Sequence, residues 1–311
     1  METKAIVLTE PRRIEIKAVK LTTPADSDVQ VKILWSAIST GTEKMLWEGS
    51  MPNFPGMGYP LVPGYEAVGR ISKTHRASGF AEGDLVFVPG AQCYANARGL
   101  FGANAQVVNV PAERLIPLPE RIGSRGVLLA LAATAYHTLN KCERALPELI
   151  IGHGVLGRLL ARLTIALDGD APLVWESNPH RRMSDPTYNV IDSVDDVRRD
   201  YSMIVDASGA TGILDQAVSR LAKGGDITLA GFYNTPVSFD FPAAFMREMT
   251  LRIAAEFEPS DVRAVIELIS EGRLDLDGLI THTHGIDDIG RSYEMAFTDP
   301  DCLKLVFDWE Q

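Results

Sequence analysis

The sequence predicts an α/β protein built in two parts, a β-rich first half and a second half folded as a doubly wound parallel sheet around a dinucleotide site. Three observations carry this. As far as Val110, apolar and polar residues alternate in short runs with almost no helical period. The apolar run Leu149-Ile150-Ile151 then breaks into Gly152, Gly154 and Gly157 and continues as the helical Arg158-Leu159-Leu160-Ala161-Arg162-Leu163. Beyond it, strand-length apolar runs recur with helical stretches between them, as a parallel sheet with crossover helices requires.

Residues 4–8 and 13–19 alternate well enough for two strands joined at Pro11, and 29–35 for a third. That strand runs into Ser36-Ala37-Ile38-Ser39-Thr40-Gly41-Thr42-Glu43, a small-residue turn expected to open a helix capped by a hydroxyl. Its hydroxyls are candidate site groups, and equally plain caps. Residues 47–59 hold too much glycine and proline for regular structure, yet include Trp47, Met51, Phe54, Met57 and Tyr59. Apolar loops are costly to expose. This one either packs on its own core or lines a cavity for a large, flat, apolar ligand, to which Met adapts its shape. Strands at 63–71, 83–88 and 105–110 complete the β-rich part, and proline-spaced residues up to 119 mark a crossing. The domains are therefore expected at 1–120, completed by about 270–311, and at 121–269.

Residues 126–139 are strongly helical, and strands follow at 172–175, 189–192, 202–207, 225–231 and 250–255. Helices are expected at 213–221 and 261–271, and a last strand at 303–307 returns to the first domain. The linkers 177–188 and 193–201 are short, and the first holds Pro179 and Pro186, so helices there are stunted.

The glycine turn reads as a phosphate cradle. Gly152 permits the tight turn, Gly154 lets the backbone approach a pyrophosphate and Gly157 lets the helix pack on its strand. Val155 and Leu156 open that helix, whose first N–H groups suit an anion. Glu176 ends the next strand about 20 residues on, where a carboxylate accepts from both ribose hydroxyls, so NAD is the expected cofactor. Arg181 and Arg182 keep NADP open, because an arginine is how such sites accept a 2′-phosphate. Thr134, Asp206, Ser208, Gly209, Gly231 and Phe232 join the cofactor candidates at strand ends or beside the pocket, although Asp206 serves equally well as a turn cap. The bland alternative is an ordinary glycine turn in an α/β protein.

Composition narrows the class. Thirty basic against forty-one acidic residues leave a net charge of −11 over 311 residues, so the footprint for nucleic acid or an anionic membrane is missing. With 46% hydrophobic residues, no window reaches the run that a membrane helix needs, and Met1-Glu2-Thr3-Lys4 lacks the form of a signal peptide, which favours the cytoplasm. Cys93, Cys142 and Cys302 are too few and too far apart for a disulfide framework or a zinc module.

Several motifs match separately. Pro63-Gly64-Tyr65-Glu66-Ala67-Val68-Gly69, Gly83-Asp84-Leu85-Val86 and Thr134-Ala135-Tyr136 look like the P-G-H-E-x-x-G, G-D-x-V and T-A-Y of the medium-chain dehydrogenase/reductase family. Asp206-Ala207-Ser208-Gly209, Gly224-Gly225 and Leu279-Ile280-Thr281-His282 follow in the family's order. The chain resembles that family over nearly its whole length, which implies a GroES-like first domain and a Rossmann second domain. Where zinc-dependent members hold the metal, Ser39, Tyr65 and Ala130 stand here, so the resemblance implies no catalytic zinc. Residues 90–102 offer only Cys93, so no structural zinc is expected either.

The run Ser39-Thr40-Gly41-Thr42-Glu43, the Gly-Tyr-Glu replacement and the shortened nucleotide domain resemble one zinc-free branch. That branch oxidises the 1-hydroxyethyl group on C3 of a (bacterio)chlorophyllide a to acetyl with NAD, and a broad tetrapyrrole substrate suits the apolar loop. Tyr65, where the family's motif meets the nicotinamide pocket, is expected either to bond the alcohol oxygen and relay its proton, as a phenol of lowered pKa does, or to fill the space left by the metal. Ser39, Thr40 and Thr42 would orient the hydroxyl or pass the proton outward, and His137 would be a relay or a packing residue. A metal at His282 and His284 lacks a third ligand. Two rivals stand: a zinc-free enone or quinone reductase using NADPH, and a dinucleotide-binding protein without catalysis. A homodimer paired through 225–236 and the neighbouring strand is the family's suggestion.

Overall fold

The structure is a computed structural model, and it describes every residue except Asn53, Phe54 and Ser184. The chain divides into two compact units, Met1–Ala130 with Gly278–Gln311, and Leu131–Asp277. Both divisions fall later in the chain than residues 120 and 269. The reason is local: the 3-10 segment Glu120–Leu128 still belongs to the first unit, burying Val127 and Leu128 and setting Gly126 against Val68.

The first unit begins with β1 (Glu2–Glu10), β2 (Arg13–Lys20) and β3 (Asp28–Ala37), followed by α1 (Thr42–Glu48). Next come β4 (Leu61–Val62), β5 (Ala67–Lys73), β6 (Leu85–Val88), β7 (Arg98–Gly99), β8 (Val107–Pro111) and β9 (Ile116–Pro117). β1 and β2 form an antiparallel pair, extended by β4 and β7 into one sheet. β3, β5, β6 and β9 run through a second sheet, with β8 also on β3. Ile6, Val31, Ile33, Val86, Val88 and Val108, all inward members of their alternations, fill the core.

The second unit opens with α2 (Leu129–Asn140), whose first two residues fall in the first unit, then β10 (Leu149–Ile151), α3 (Val155–Ala166), β11 (Leu173–Trp175) and β12 (Asn189–Ile191). β13 (Tyr201–Asp206), α4 (Ile213–Arg220), β14 (Leu221–Leu229), α5 (Phe241–Arg247), β15 (Thr250–Ile253) and α6 (Pro259–Ser270) complete it. All pairings are parallel, in the order β12-β11-β10-β13-β14-β15. The direction of winding reverses between β10 and β13. Ligands of such sheets bind beyond the carboxyl ends at that reversal. Between β11 and β12 the described residues hold only one 3-10 turn, Pro179–Arg181, in keeping with the prolines there.

The chain then returns to the first unit through β16 (His282–His284), α7 (Ile289–Thr298) and β17 (Leu305–Asp308). β17 pairs antiparallel with β3 and parallel with β16, extending the second sheet to seven strands. Among the described residues no helix is long and apolar enough to cross a membrane.

Candidate active site

In the first unit, the end of β3 and the turn before β5 bring Ser39 and Tyr65 together, with 2.6 Å between their side-chain oxygens. The Thr42 hydroxyl also bears on the phenol. Thr42 opens α1, whose N-cap is Gly41 with no side-chain cap, so the expected hydroxyl cap is absent and the turn's hydroxyls are left for other bonds. Thr40 is half-buried beside them.

Behind this pair lies a buried polar cluster. Glu66, fully buried, accepts from Lys304 Nζ at 2.6 Å, and Nζ also donates to the Ile38 carbonyl at 3.1 Å. Glu43, also fully buried, accepts from the Tyr293 hydroxyl at 2.8 Å, and Asn104 Nδ2 donates to that same hydroxyl at 3.2 Å. One oxygen of each carboxylate, Glu43 Oε1 and Glu66 Oε1, makes no bond. Two acids against one lysine in a dry setting favour a proton on one acid, and burial, with Glu66 as a like charge, pushes the Glu43 carboxyl up to about 8.

Burial and the Glu66 charge also raise the pKa of the Tyr65 phenol, although Ser39 and Thr42 oppose the shift. This corrects the expectation of a lowered value. The desolvation outweighs the bonds from Ser39 and Thr42, so Tyr65 is a neutral phenol at physiological pH.

The described aromatic and Met side chains of the apolar loop pack against the core while staying half-buried. Trp47, Met51, Met57 and Tyr59 pack on Leu8, Leu46, Leu61 and Leu100. The Tyr59 hydroxyl donates to the Leu46 carbonyl, and Trp47 lies 5.5 Å from the Phe297 ring, beneath the Arg12 guanidinium. Phe54 lies outside the described residues. Phe101 joins the same cluster and meets the Tyr65 ring edge-on at 5.2 Å, so the loop's packing continues to the phenol.

In the second unit, the cradle residues follow β10. Gly152 has φ +98°, and a Cβ on Gly157 would lie 1.8 Å from the Gly152 carbonyl oxygen, so the turn closes only with glycine there. Above Gly154 there is open space, and Gly154 caps α3 with no side chain over its first N–H groups. Val155 is buried and Leu156 half-buried. Glu176 Oε2 accepts from the His153 backbone N–H at 3.1 Å and Oε1 from Asn178 N–H at 2.8 Å. Each oxygen keeps a lone pair for a ribose hydroxyl. A free helix N-terminus, an open glycine and an oriented carboxylate at the sheet's reversal fit a dinucleotide.

The remaining cofactor candidates divide. Ser208 and Gly209 stand just beyond β13, with Ser208 against Gly152, and Gly231 closes on Gly209. Phe232 is half exposed. Asp206 instead closes its own turn: Oδ1 accepts from Ser208 N–H and Oγ, and Oδ2 from the Tyr233 hydroxyl. Thr134 is half-buried in α2, its carbonyl accepting from Thr138. Arg182 bonds the Ser177 carbonyl and Asp192, and the Arg181 carbonyl accepts from His153. His137, expected as a relay or a packing residue, has a packing role here. It is buried in the second unit and donates from Nδ1 to Asp261 at 2.9 Å, bracing α2 on the capping box of α6.

No metal cluster of three His, Cys, Asp or Glu occurs among the described residues. At the positions where zinc ligands were sought, Ser39 and Tyr65 are bonded to one another and Ala130 offers no donor. His284 Nδ1 donates to the Ser292 hydroxyl at 2.8 Å and His282 Nδ1 meets Thr281 at 3.0 Å. Sequence reasoning missed Glu43, Lys304, Tyr293 and Asn104. Glu43 was visible as an acid beside the hydroxyl turn, whereas the others join it only through the fold.

Comparison with known proteins agrees with this geometry. Residues 25–120 match the alcohol dehydrogenase GroES-like domain. The chain is 52% identical over 311 residues, all of its own length and 99% of the other, to the 2-desacetyl-2-hydroxyethyl bacteriochlorophyllide A dehydrogenase of Rhodobacter capsulatus. It is 51% identical to the enzyme of that name from Cereibacter sphaeroides, with 99% of each chain covered. Among solved structures, a short chain alcohol dehydrogenase from Escherichia coli, complexed with NADH, superposes with a TM-score of 0.84 at 19% identity, covering 99% of both chains. Identity at that level over the full length, with the fold and motifs described, means that the chain belongs to the medium-chain dehydrogenase/reductase family and is an alcohol-type dehydrogenase.

Proposed function

We propose that this protein oxidises the C3 1-hydroxyethyl group of a (bacterio)chlorophyllide a to acetyl, with NAD as the oxidant and without a catalytic zinc. The observation that carries the substrate class is the 52% identity, over the entire chain, to a dehydrogenase named for that carbinol. Gly152, Gly154, Gly157 and the α3 N-terminus would hold the pyrophosphate, and Glu176 the adenosine ribose. Bound NAD supplies the hydride acceptor. The chain's own residues manage the oxygen: Tyr65 accepts from the carbinol hydroxyl and orients it, and donates its own proton towards Ser39. A neutral phenol relays in this way without ionising: it takes the alcohol proton as its own moves to Ser39, whose hydroxyl proton passes outward, by way of Thr42, to solvent. The donor set supports a zinc-free site, since a phenol and a hydroxyl bonded to one another replace two of the metal's ligands.

Glu176 favours NAD over NADP, which weighs against an enone reductase driven by NADPH, and coenzyme preference separates the two. The unit Met1–Ala130 with Gly278–Gln311 handles the alcohol, and the unit Leu131–Asp277 the dinucleotide. The reaction takes place in the cytoplasm, where free thiols such as Cys93 and Cys142 persist. A homodimer through residues 225–236 and the neighbouring strand β15 is supported by the edge position of β15 and its exposed Ile253. The test is incubation with NAD and a 3-(1-hydroxyethyl) chlorin in the presence of a zinc chelator. The macrocycle's red band should shift in step with NADH formation. A protein that binds NADH yet converts no carbinol would overturn the reading.

A further inference from the structure

The middle of the glycine turn holds a side chain that the cradle does not require. His153 is fully buried. Its Nδ1–H donates to the Arg181 carbonyl at 2.7 Å, which leaves Nε2 to accept from the Tyr188 hydroxyl at 3.0 Å, and the Tyr188 ring stands edge-on to the imidazole at 5.6 Å. One imidazole thus grips both ends of the segment 181–188. Its backbone works on the same region: the His153 N–H is one of the two that orient Glu176, and its carbonyl accepts from Arg158 Nε at 3.2 Å. Burial lowers the His153 pKa to about 4, which keeps this arrangement of donor and acceptor intact at neutral pH.

The segment it grips also decides what surrounds the ribose. Arg182 is turned to the Ser177 carbonyl and to Asp192, and Asp185 pairs with Arg162 at 3.3 Å. A segment released from His153 would free its arginines to meet a 2′-phosphate, and would let Glu176 lose one of its two backbone donors. We propose that His153 is a positioning residue for coenzyme specificity, holding the segment after Glu176 so that the site accepts a ribose with two free hydroxyls and refuses a 2′-phosphate. This rests on the dinucleotide reading above and adds a determinant outside the glycines and the acid.

The experiment is fluorescence titration of the full chain with NADH and with NADPH, alongside a melting curve for each variant. In His153→Phe the ring fills the space and makes neither bond. NADH binding should weaken about tenfold, the scale of one net hydrogen bond, and the NADH-to-NADPH affinity ratio should fall by a similar factor. Tyr188→Phe deletes only the hydroxyl and should move the ratio the same way by less. His153→Gln, with an amide able to donate and accept, should restore part of it. Variants that melt earlier but keep the wild-type ratio would reduce His153 to a packing residue and overturn the proposal. If His153→Phe does not fold, an unchanged ratio in Tyr188→Phe overturns it alone. A wild type that binds neither coenzyme removes the dinucleotide reading first, and this proposal with it.

Discussion

Tyr65 shows why the chemistry of a side chain follows from its surroundings rather than its type. A phenol with a lowered pKa could act as a base, but here burial and Glu66 raise the value, so the residue donates and exchanges protons instead. Tyr65→Phe should therefore lower turnover by about 10²- to 10⁴-fold, the usual worth of one positioned acid–base group, and leave NADH affinity unchanged. Stopped-flow turnover beside a binding titration reads both, and undiminished turnover would assign Tyr65 to packing. Lys304 sits under the same group. Its ion pair with Glu66 is almost wholly buried, and removing the ammonium leaves a carboxylate with no counter-charge. Lys304→Met should cost about 3–5 kcal/mol of stability, measured by urea unfolding, whereas breaking a solvent-screened pair such as Arg13 with Glu15 should cost far less.

At the scale of elements, β10, the glycine turn and α3 form one device with separable parts. A methyl on Gly157 would collide with the Gly152 carbonyl, so Gly157→Ala should cost about 1–3 kcal/mol and weaken NADH binding together. A methyl on Gly154 meets nothing within 4 Å in the protein, so Gly154→Ala should melt within about 0.5 kcal/mol of wild type and still bind NADH poorly. Melting curves with NADH titrations distinguish folding from anion approach. This device was legible in the sequence because local chemistry dictates it: a turn needs glycine, a helix needs an N-terminus, and an acid follows at the next strand end. The parallel strands were legible for the same reason, as apolar runs with crossovers between them. What escaped was non-local. Nothing near Lys304 in sequence announces Glu66, and Tyr293 meets Glu43 only after β17 has returned to β3. The loop with Trp47, Met51, Met57 and Tyr59 was ambiguous because apolar residues that line a cavity and those that cover Leu8 and Leu61 have the same composition.

At the scale of the whole molecule, each unit hides a titratable group, and the two act on stability with opposite sign. Glu43, in the first unit, titrates near 8 when folded against an ordinary 4.5, so the folded state binds a proton that the unfolded state has lost between those values. Its contribution is full below the unfolded pKa and is lost as pH rises toward 8. His153, in the second unit, titrates near 4 when folded against 6.5, so here the unfolded state gains the proton first, and stability is lost as pH falls from 6.5 toward 4. Between 4.5 and 6.5 the two slopes oppose each other, and above 6.5 the His153 contribution is complete while that of Glu43 still declines. From pH 6.5 to 8 this decline should remove about 2 kcal/mol, at 1.36 kcal/mol per pH unit. Because Trp35, Trp47 and Trp309 lie in the first unit and Trp175 in the second, Trp175→Phe makes fluorescence report on the first unit alone. In that background, urea unfolding should show a midpoint that declines from pH 6.5 to 8. Glu43→Gln, an amide with the shape of the protonated acid, should flatten the decline. An equal decline with and without Glu43 would mean that the buried proton is held elsewhere in the cluster with Glu66 and Lys304.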